Sequence, residues 1–259
     1  MKKRSVIYKI IPWGIPILLL IGWQLFTKLG VVSSKILPAP TDVYWAALHL
    51  LQTGELAQHV WISLWRAMAG FLIGGTIGFL LGLFNGLFRT SEMLLDTSVQ
   101  MLRNIPHLAL IPLVILWFGI GEEAKIFLVA LGVLFPVYLN TFHGIKSVDQ
   151  GLIEMGRMYG LKGIPLFLHI IFPGALSSVL VGIRFSLGIM WITLIVAETI
   201  SSTSGIGYMA MNAREFMQMD VIVLSILLYA LLGKLSDVIA RLLERRWLKW
   251  HPGYENVLS

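Results

Sequence analysis

Long apolar stretches alternate with short polar segments along the chain. Windows of about 19 residues, the length that suits a helix crossing a hydrocarbon core of about 30 Å, select six such stretches. They cover residues 10–29, 63–88, 99–119, 125–145, 178–200 and 221–240. The pattern predicts an all-α polytopic membrane protein with six transmembrane helices, built as one membrane domain over residues 1–259.

Lys and Arg are distributed unevenly between the two sides of the predicted membrane. If the N-terminus is cytoplasmic, twelve of the 20 basic residues lie in cytoplasmic segments, four in external segments and four within helices. Because cytoplasmic loops are enriched in Lys and Arg, both termini are predicted to be cytoplasmic. No A-x-A cleavage pattern follows the first apolar stretch, so we expect an uncleaved helix there rather than a signal peptide.

The overall composition supports a membrane location. Hydrophobic residues make up 57% of the chain and charged residues 13%, with a mean hydropathy of +0.80, whereas soluble domains carry about 25% charged residues. The net charge of +6 is dispersed between apolar stretches, which argues against nucleic-acid binding. The chain has no Cys, which excludes disulfides and thiolate metal sites. We therefore predict a multi-pass membrane protein, surrounded by lipid.

Glycine recurs at every fourth position of the second apolar stretch. The residues are Gly70, Gly74, Gly78, Gly82 and Gly86. At about 1.5 Å per residue they form a ridge about 24 Å long on one side of a helix. Small residues let the backbones of membrane helices approach closely, so the ridge is predicted to be a helix-packing surface.

Prolines fall inside two of the predicted helices, at Pro106 and Pro112 in the third and Pro136 in the fourth. Each removes a backbone donor, which must be compensated by protein or by water in a cavity. Interrupted helices line the substrate routes of many transporters. We therefore expect helix breaks at these prolines and a transport route beside them.

Polar side chains also occur within the predicted helices, where ionisable residues are costly and mark functional sites or ion pairs. The candidates for a translocation pathway are Arg103, Asn104, His107, Arg184 and Glu198. A structural role is the alternative for such residues. Lys234 and Asp237, three residues apart, are predicted to form a local pair, and Arg103 lies near enough to the cytoplasmic end to reach the interface.

The segment 144–173 carries charges that do not fit in lipid, so it is predicted to be cytoplasmic. Within it, Met155, Met158 and Tyr159 form an apolar stripe at helical spacing beside charged residues. Gly160 suits the left-handed conformation that ends helices. A short amphipathic helix is therefore expected, either resting on the membrane surface or bound in a groove of a partner protein.

This segment resembles the EAA loop of ATP-binding-cassette importer permeases. The family pattern is E-A-A, three residues, G, nine residues, I, one residue and L-P. Glu154, Gly160, Ile170 and Pro173 match it, while Met155 and Gly156 replace the two alanines and Phe172 replaces the leucine. The resemblance implies a coupling role toward an ATPase for the candidate positions Glu154, Met155, Gly156, Gly160, Ile170 and Pro173.

The resemblance extends over nearly the whole chain. Residues 101–119 (MLRNIPHLALIPLVILWFG) and 196–216 (VAETISSTSGIGYMAMNAREF) look like those of the aliphatic sulfonate permeases, within the nitrate, sulfonate and taurine group. It implies a homodimer of this subunit, two copies of an ATPase subunit and an extracytoplasmic substrate-binding protein. An aliphatic sulfonate is the implied substrate, with taurine or nitrate as alternatives. The implied fold is that of a type I importer permease, and the implied location is a bacterial cell membrane. No cofactor or metal is implied.

A sulfonate is a permanent anion, and burying it without donors or positive charge is very costly. Arg103, Asn104 and Arg184 are the best candidates to stabilise it. If the third helix restarts after Pro106, its N-terminal amides are further candidates.

Two other protein classes fit the sequence less well. A membrane-embedded enzyme would use residues such as His107, His143 and Asp237, but no H-E-x-x-H or similar spacing is present. A secondary transporter is expected to show paired midplane carboxylates and two related halves, and neither is visible. The phosphate-binding pattern G-x-x-x-x-G-K-[ST] is also absent, so the chain is predicted to be a transport subunit without enzymatic activity.

Overall fold

A computed structural model of the 259-residue chain describes residues 2–248 and 250, with side chains described from residue 14 onward except at position 201. Lys249 and residues 251–259, which the sequence assigns to the cytoplasmic C-terminal segment, lie outside the described residues. The side chains of the N-terminal basic residues Lys2, Lys3, Arg4 and Lys9 also lie outside them.

The described residues form helices joined by turns, without a β-strand among them. The α-helices are α1 (Lys2–Lys28), α2 (Pro40–Gln52), α3 (Glu55–Leu87), α4 (Arg89–Ser91), α5 (Thr97–Arg103), α6 (Ile111–Phe118), α7 (Glu122–Lys146), α8 (Gln150–Met158), α9 (Gly163–Leu166), α10 (Phe172–Ser201), α11 (Ile206–Glu215) and α12 (Met219–Trp247). Two π-helical turns, Glu92–Asp96 and Phe167–Ile171, join α4 to α5 and α9 to α10. The predicted all-α class is confirmed.

Length and apolar composition single out α3, α7, the continuous stretch Gly163–Ile200 and α12 as helices able to cross a membrane. A fifth crossing arises if Arg89–Arg103 and His107–Phe118, which meet at an angle of 78°, form one broken span. The apolar part of α1, Gly14–Lys28, is shorter than these. The count of six spans and the cytoplasmic location of both termini therefore remain predictions.

The helices extend beyond the apolar stretches seen in the sequence. α3 begins at Glu55 rather than at residue 63, and α12 continues to Trp247. The additional turns contain charged and polar residues such as Glu55, Gln58 and Arg245, which lower the hydropathy of a window without ending a helix. Hydropathy marks the apolar core of such a helix and not its ends.

The chain divides into two compact units. The smaller unit comprises Met1–Ile62 and Thr203–Leu228. In this unit the Trp23 indole N–H donates to the Pro38 carbonyl at 3.0 Å. The Gly205 backbone N–H donates to Nδ1 of His59 at 3.1 Å, which fixes the start of α11.

The larger unit comprises Ser63–Ser202 and Tyr229–Ser259. In this unit α7 packs extensively against α10. Two glycines permit this approach, since a Cβ at Gly144 would lie 2.8 Å from the Cβ of Ser178 and one at Gly182 would lie 2.6 Å from the Cβ of Asn140. The Ser178 hydroxyl also donates to the Asn140 carbonyl at 2.9 Å. Close backbone packing and side-chain hydrogen bonds therefore hold the two helices together.

One of the three predicted proline breaks is present. The α-helical conformation ends at Arg103, before Pro106. A 3-10 turn follows at His107–Leu110, and the α-helical conformation resumes at Ile111 with α6. Pro112 occupies the second position of α6, where no intrahelical backbone donor is required. Pro136 lies inside α7 without interrupting it, so the expectation of breaks at these two prolines is wrong. Packing on both sides of a membrane helix lets it tolerate an interior proline.

Candidate functional site

The helix α8 has well-defined ends. Its N-cap residue Asp149 accepts a hydrogen bond from the Gly151 backbone N–H at 2.6 Å. At the other end the Gly160 N–H donates to the Arg157 carbonyl and the Leu161 N–H to the Gly156 carbonyl, each at 3.0 Å. These two bonds form a Schellman motif, which requires a left-handed residue at Gly160 (φ 85°). The segment therefore folds as a short helix followed by a sharp turn.

One side of α8 packs against the segment that leads into α10. Ile153 joins a buried apolar cluster with Ile145, Val148 and Leu166. A Cβ at Gly156 would lie 2.9 Å from Cδ1 of Leu166 and would also overlap the side chain of Ile170. The small residue at position 156 thus lets α8 lie directly on the Phe167–Ile171 turn. Pro173 is the second residue of α10, which follows this turn.

The opposite side of α8 is exposed. Met158 and Tyr159 are 88% and 82% exposed, and Glu154 and Met155 are also exposed. Ile164, in the following turn, is 73% exposed. Apolar and charged groups lie side by side on this surface, as at protein–protein contacts. We call it the α8 surface and define it by these five residues.

The five glycines of α3 all face α7. A Cβ at Gly70 would lie 2.6 Å from Val129, one at Gly82 2.6 Å from the Tyr138 carbonyl, and one at Gly86 2.9 Å from Ile145. Gly74 and Gly78 lie against the carbonyls of Ala130 and Leu134, where no Cβ fits. The backbones of α3 and α7 are therefore in direct contact along the ridge.

The break after α5 brings three candidate pathway residues to one place in the chain. Arg103 and Asn104 are exposed where α5 ends. His107 starts the next turn, and its Nε2 lies 3.0 Å from the Thr193 hydroxyl of α10. A Cβ at Gly132 would lie within 3.2 Å of both partners, so glycine at this position of α7 permits the His107–Thr193 contact.

Arg184 belongs to a group of charged side chains on α10 and α12. Its Nε donates to Asp237 Oδ1 at 2.7 Å, and its Nη1 lies 3.6 Å from Glu244. Asp237 also pairs with Arg241 at 3.0 Å and with Lys234 at 3.6 Å, which confirms the predicted Lys234–Asp237 pair. These three cations and two carboxylates carry one excess positive charge, since 3 − 2 = 1.

A cavity of about 480 Å³ opens beside Arg184. Its other lining is mainly apolar and includes Val181, Phe185 and Ile192, with Asp237 as a second charged group. No atom lies within 4 Å of the position that a Cβ would take at Gly188. The cavity therefore combines apolar walls with a guanidinium and a carboxylate that are paired with each other at 2.7 Å.

Glu198 lies in a different environment from Arg184. It is 1% exposed, and one of its oxygens accepts a hydrogen bond from Arg66 Nη1 at 2.8 Å. The Ser63 hydroxyl donates to the same carboxylate at 2.8 Å and the Tyr229 hydroxyl at 2.9 Å. Residues of α3, α10 and α12 thus meet around one buried carboxylate.

Arg66 is completely buried and connects two carboxylates. Its Nε and Nη2 donate to the two oxygens of Glu122, at 2.5 and 2.6 Å. Glu122 is half exposed and also contacts the buried Lys125 at 3.4 Å. The two cations and two carboxylates of this group leave no net charge. Pairing of this kind offsets the cost of burying charged groups. We call Arg66, Glu122, Lys125 and Glu198 the buried charge network.

Sequence reasoning selected Glu198 but did not connect it with Arg66 or Glu122. The sequence did contain a signal for the Arg66–Glu198 pair. The two residues are opposite charges in two predicted membrane helices, and such charges tend to pair. The hydrogen bonds distribute the predicted pathway residues over three groups, around the helix break, around Asp237 and around Arg66.

Comparison with known proteins identifies several relatives over nearly the whole length. The SsuC protein of Escherichia coli, named as an aliphatic sulfonates transport permease, is 63% identical over 97% of this chain and 95% of its own. The Bacillus subtilis protein of the same name is 46% identical over 93% of this chain and 87% of its own. The Escherichia coli taurine transport permease TauC is 35% identical over 91% of this chain and 87% of its own.

Solved structures share the fold. The chain of an amino acid ABC transporter matches with a TM-score of 0.62 and 16% identity, over 77% of this chain and 97% of its own. The inward-facing MetNI methionine ABC transporter matches with a TM-score of 0.56 and 20% identity, over 73% of this chain and 96% of its own.

A family model described as "Binding-protein-dependent transport system inner membrane component" matches residues 74–249. Together with the relatives it confirms the predicted class, a transport subunit of the membrane and not an enzyme, similar to importer permeases of the ATP-binding-cassette type. The chain therefore belongs to the family of inner-membrane components of binding-protein-dependent transport systems.

Proposed function

We propose that the chain is the membrane-spanning subunit of an ATP-driven importer that moves aliphatic sulfonates across the cell membrane. The observation that carries this proposal is the 63% identity to Escherichia coli SsuC over 97% of the chain. Bacillus subtilis SsuC, at 46% identity, supports the same substrate class. The cavity beside Arg184 offers a guanidinium for a sulfonate and apolar walls for an alkyl chain, although Asp237 also lines it.

The α8 surface is the proposed contact with the ATPase. Glu154 and Met155 are exposed and available to a partner, whereas Gly156 and Ile170 face each other within the chain. Gly160 ends α8, and Pro173 lies in the first turn of α10. A displacement of α8 would therefore be transmitted to α10 through direct side-chain packing, without a flexible linker between them. An alternating-access cycle requires that a displacement at the ATPase contact reaches the spanning helices.

The proposed assembly contains two copies of this chain, two ATPase subunits and an extracytoplasmic binding protein. The family description supports the dependence on a binding protein. The separate ATPase follows from the sequence, which has no phosphate-binding G-x-x-x-x-G-K-[ST] pattern. The homodimer rests on the resemblance to importer permeases.

The sulfonate route is proposed to pass the charged group on α10 and α12. The excess positive charge around Asp237 favours an anion, and Arg184 is the member that lines the cavity together with Asp237. Arg103, Asn104 and His107 form a second set of candidates at the broken helix. Glu198 is better suited to a structural role, because its oxygens are already bonded to Arg66, Ser63 and Tyr229.

Reconstitution tests the substrate class. The chain, its ATPase and its binding protein are placed in proteoliposomes, and ATP-dependent uptake of ethanesulfonate is measured with unlabelled alkanesulfonates, taurine or nitrate as competitors. We expect uptake that alkanesulfonates suppress at low concentration and nitrate does not. Uptake of nitrate without sulfonate uptake would contradict the substrate assignment and leave the importer class intact.

Taurine is the second candidate substrate, on the basis of the 35% identity to TauC. Taurine carries an ammonium group in addition to its sulfonate, and the cavity offers the carboxylate of Asp237 beside Arg184. The same competition experiment separates the two substrates. Stronger competition by taurine than by ethanesulfonate would replace the first proposal with the second.

Substitution of Glu154 tests the coupling role of α8. We expect Glu154→Ala to reduce ATP-dependent uptake at least tenfold while the protein remains folded, because Glu154 is exposed and contributes no buried contact. The matched control is Glu123→Ala, which removes another exposed carboxylate outside α8. Equal uptake by both variants would contradict a coupling role for Glu154.

A further inference from the structure

The π-helical turn Glu92–Asp96 interrupts the helical segment between α3 and the break at Pro106. π-helical turns are rare and are frequently found at functional sites. Side chains at both ends of this turn, Glu92 and Asp96, form polar contacts with α7. Neither residue belongs to the α8 surface, to the cavity beside Arg184 or to the buried charge network.

The first of these contacts is made by Tyr138 of α7, whose side chain is buried. Its hydroxyl donates to Asp96 Oδ1 at 2.6 Å and accepts a hydrogen bond from Asn85 Nδ2 at 2.9 Å. The Ser91 hydroxyl in turn donates to Asn85 Oδ1 at 2.5 Å. A single phenol therefore connects the end of α3, the π-helical turn and the middle of α7.

The second contact is an ion pair at the end of α7. Lys146 Nζ lies 2.5 Å from Glu92 Oε2, and both side chains are partly exposed. Lys146 is the last residue of α7, and Asp149 caps α8 three residues later. The π-helical turn is thus attached to the part of α7 that precedes the α8 surface.

This end of α7 is also packed against α8. Ile145 and Val148 share a buried cluster with Ile153 of α8, and Leu83 and Leu87 of α3 pack on the same cluster. Continuous contacts therefore run from α8 through the end of α7 to the π-helical turn and on to α5, which ends at the helix break.

We propose that the Lys146–Glu92 ion pair and the Tyr138–Asp96 hydrogen bond are positioning contacts that make the segment from the π-helical turn to the break move with α8. This inference rests on the proposed coupling role of α8 and deepens it. A displacement of α8 is delivered through these contacts to the broken helix at Arg103 and His107. Packed side chains, hydrogen bonds and ion pairs are the contacts that carry coupling between distant sites.

A charge exchange tests the ion pair. In the reconstituted complex, the number of ATP molecules hydrolysed per substrate imported is measured for Glu92→Lys, for Lys146→Glu and for the double exchange. We expect each single exchange to raise this ratio at least threefold and the double exchange to return it to within twofold of the unmodified protein. Single variants with an unchanged ratio, or a double variant no better than the singles, would overturn the proposal.

Arg89→Glu is the matched control, since it reverses an exposed charge three residues from Glu92 and no ion pair of Arg89 is present among residues 14–248. Its ratio is expected to stay unchanged. The failure of the importer proposal itself would be recognised separately, because the unmodified complex would then show no ATP-dependent uptake.

Chemical bridging tests whether the two segments move together. The chain has no Cys, so Glu92→Cys with Lys146→Cys can be joined by a short bifunctional thiol reagent without side reactions in the permease. We expect the bridged protein to keep most of its transport, because the contact persists through the cycle. Transport that is lost on bridging and restored when the bridge is cleaved would overturn the proposal.

Discussion

Arg66 and Glu198, separated by 132 positions in the sequence, meet in a completely buried ion pair with Nη1 and Oε1 2.8 Å apart. Their helices, α3 and α10, are both apolar over most of their length. A charge in such surroundings is tolerated only with partners that replace its hydration. The pair is therefore a constraint on how α3 and α10 pack, and Ser63 and Tyr229 complete it.

Removing one partner of this pair should strongly destabilise the protein. We expect Glu198→Ala to lower the free energy of unfolding by roughly 3–5 kcal/mol, because the buried Arg66 loses its fully buried partner. Arg66 would keep its bonds to Glu122. Thermal unfolding in detergent would measure the change. Glu123→Ala serves as control, since Glu123 is exposed, and similar midpoints for the two variants would contradict a structural role of Glu198.

Replacing both partners should cost less than replacing either one. Buried ion pairs exchanged for apolar side chains of similar volume are often neutral in stability. We therefore expect Arg66→Met with Glu198→Met to unfold at a higher temperature than either single variant. A double variant whose loss equals the sum of the two single losses would show that the residues act independently.

The glycine ridge provides a prediction with a matched control on the same helix. A Cβ at Gly74 would overlap the Ala130 backbone of α7, whereas the nearest atom at Gly75 is 3.9 Å away. We expect Gly74→Ala to destabilise by roughly 1–3 kcal/mol through overpacking. Gly75→Ala should be neutral or slightly stabilising, because alanine favours the helix. Equal unfolding midpoints for both variants would contradict direct contact between the α3 and α7 backbones.

Sequence patterns located these helices better than they located their contacts. The apolar stretches predicted the centres of α3, α7, α10 and α12, because burial in lipid requires long apolar runs. The polar start of α3 at Glu55 was missed, because hydropathy carries no information on where hydrogen bonding along a helix ends.

Within the candidate site, local chemistry was predictable and long-range pairing was not. The left-handed Gly160 and the helix restart after Pro106 follow from backbone preferences of single residues. The interior position of Pro136 in an unbroken helix depends on packing by neighbouring helices, which sequence spacing does not reveal. The contact of Tyr138 with Asp96 is equally hidden, since 42 residues separate them.

The closing turn of α8 should matter more for coupling than for stability. A side chain at Gly160 meets no atom within 4 Å, so Gly160→Ala adds only the strain of a left-handed alanine, about 1–2 kcal/mol. We expect a modest drop in the unfolding midpoint and a larger loss of ATP-dependent uptake, because Leu161 and the following turn shift. Unchanged uptake in a destabilised Gly160→Ala protein would argue against a precise geometry at this turn.

Substitution of Arg184 should affect substrate handling without unfolding the protein. Asp237 retains Arg241 and Lys234 when Arg184 is changed. The buried Glu244 loses its contact with Arg184, so we expect a folded protein with a lower unfolding midpoint. We expect Arg184→Gln to reduce the uptake rate at low sulfonate concentration about tenfold or more. The reason is the loss of one charged hydrogen bond to the sulfonate. Arg245→Gln, at an exposed position of α12, is the control. Equal rates for the two variants would remove Arg184 from the route.

The central claim is that this chain imports its substrate only together with an ATPase and a binding protein. The most direct measurement compares ethanesulfonate accumulation in sealed vesicles containing the chain alone, with an imposed ion gradient, against vesicles containing the complete complex and ATP. The account predicts accumulation only in the complete, ATP-supplied system. Gradient-driven accumulation by the chain alone would contradict it and indicate a secondary transporter.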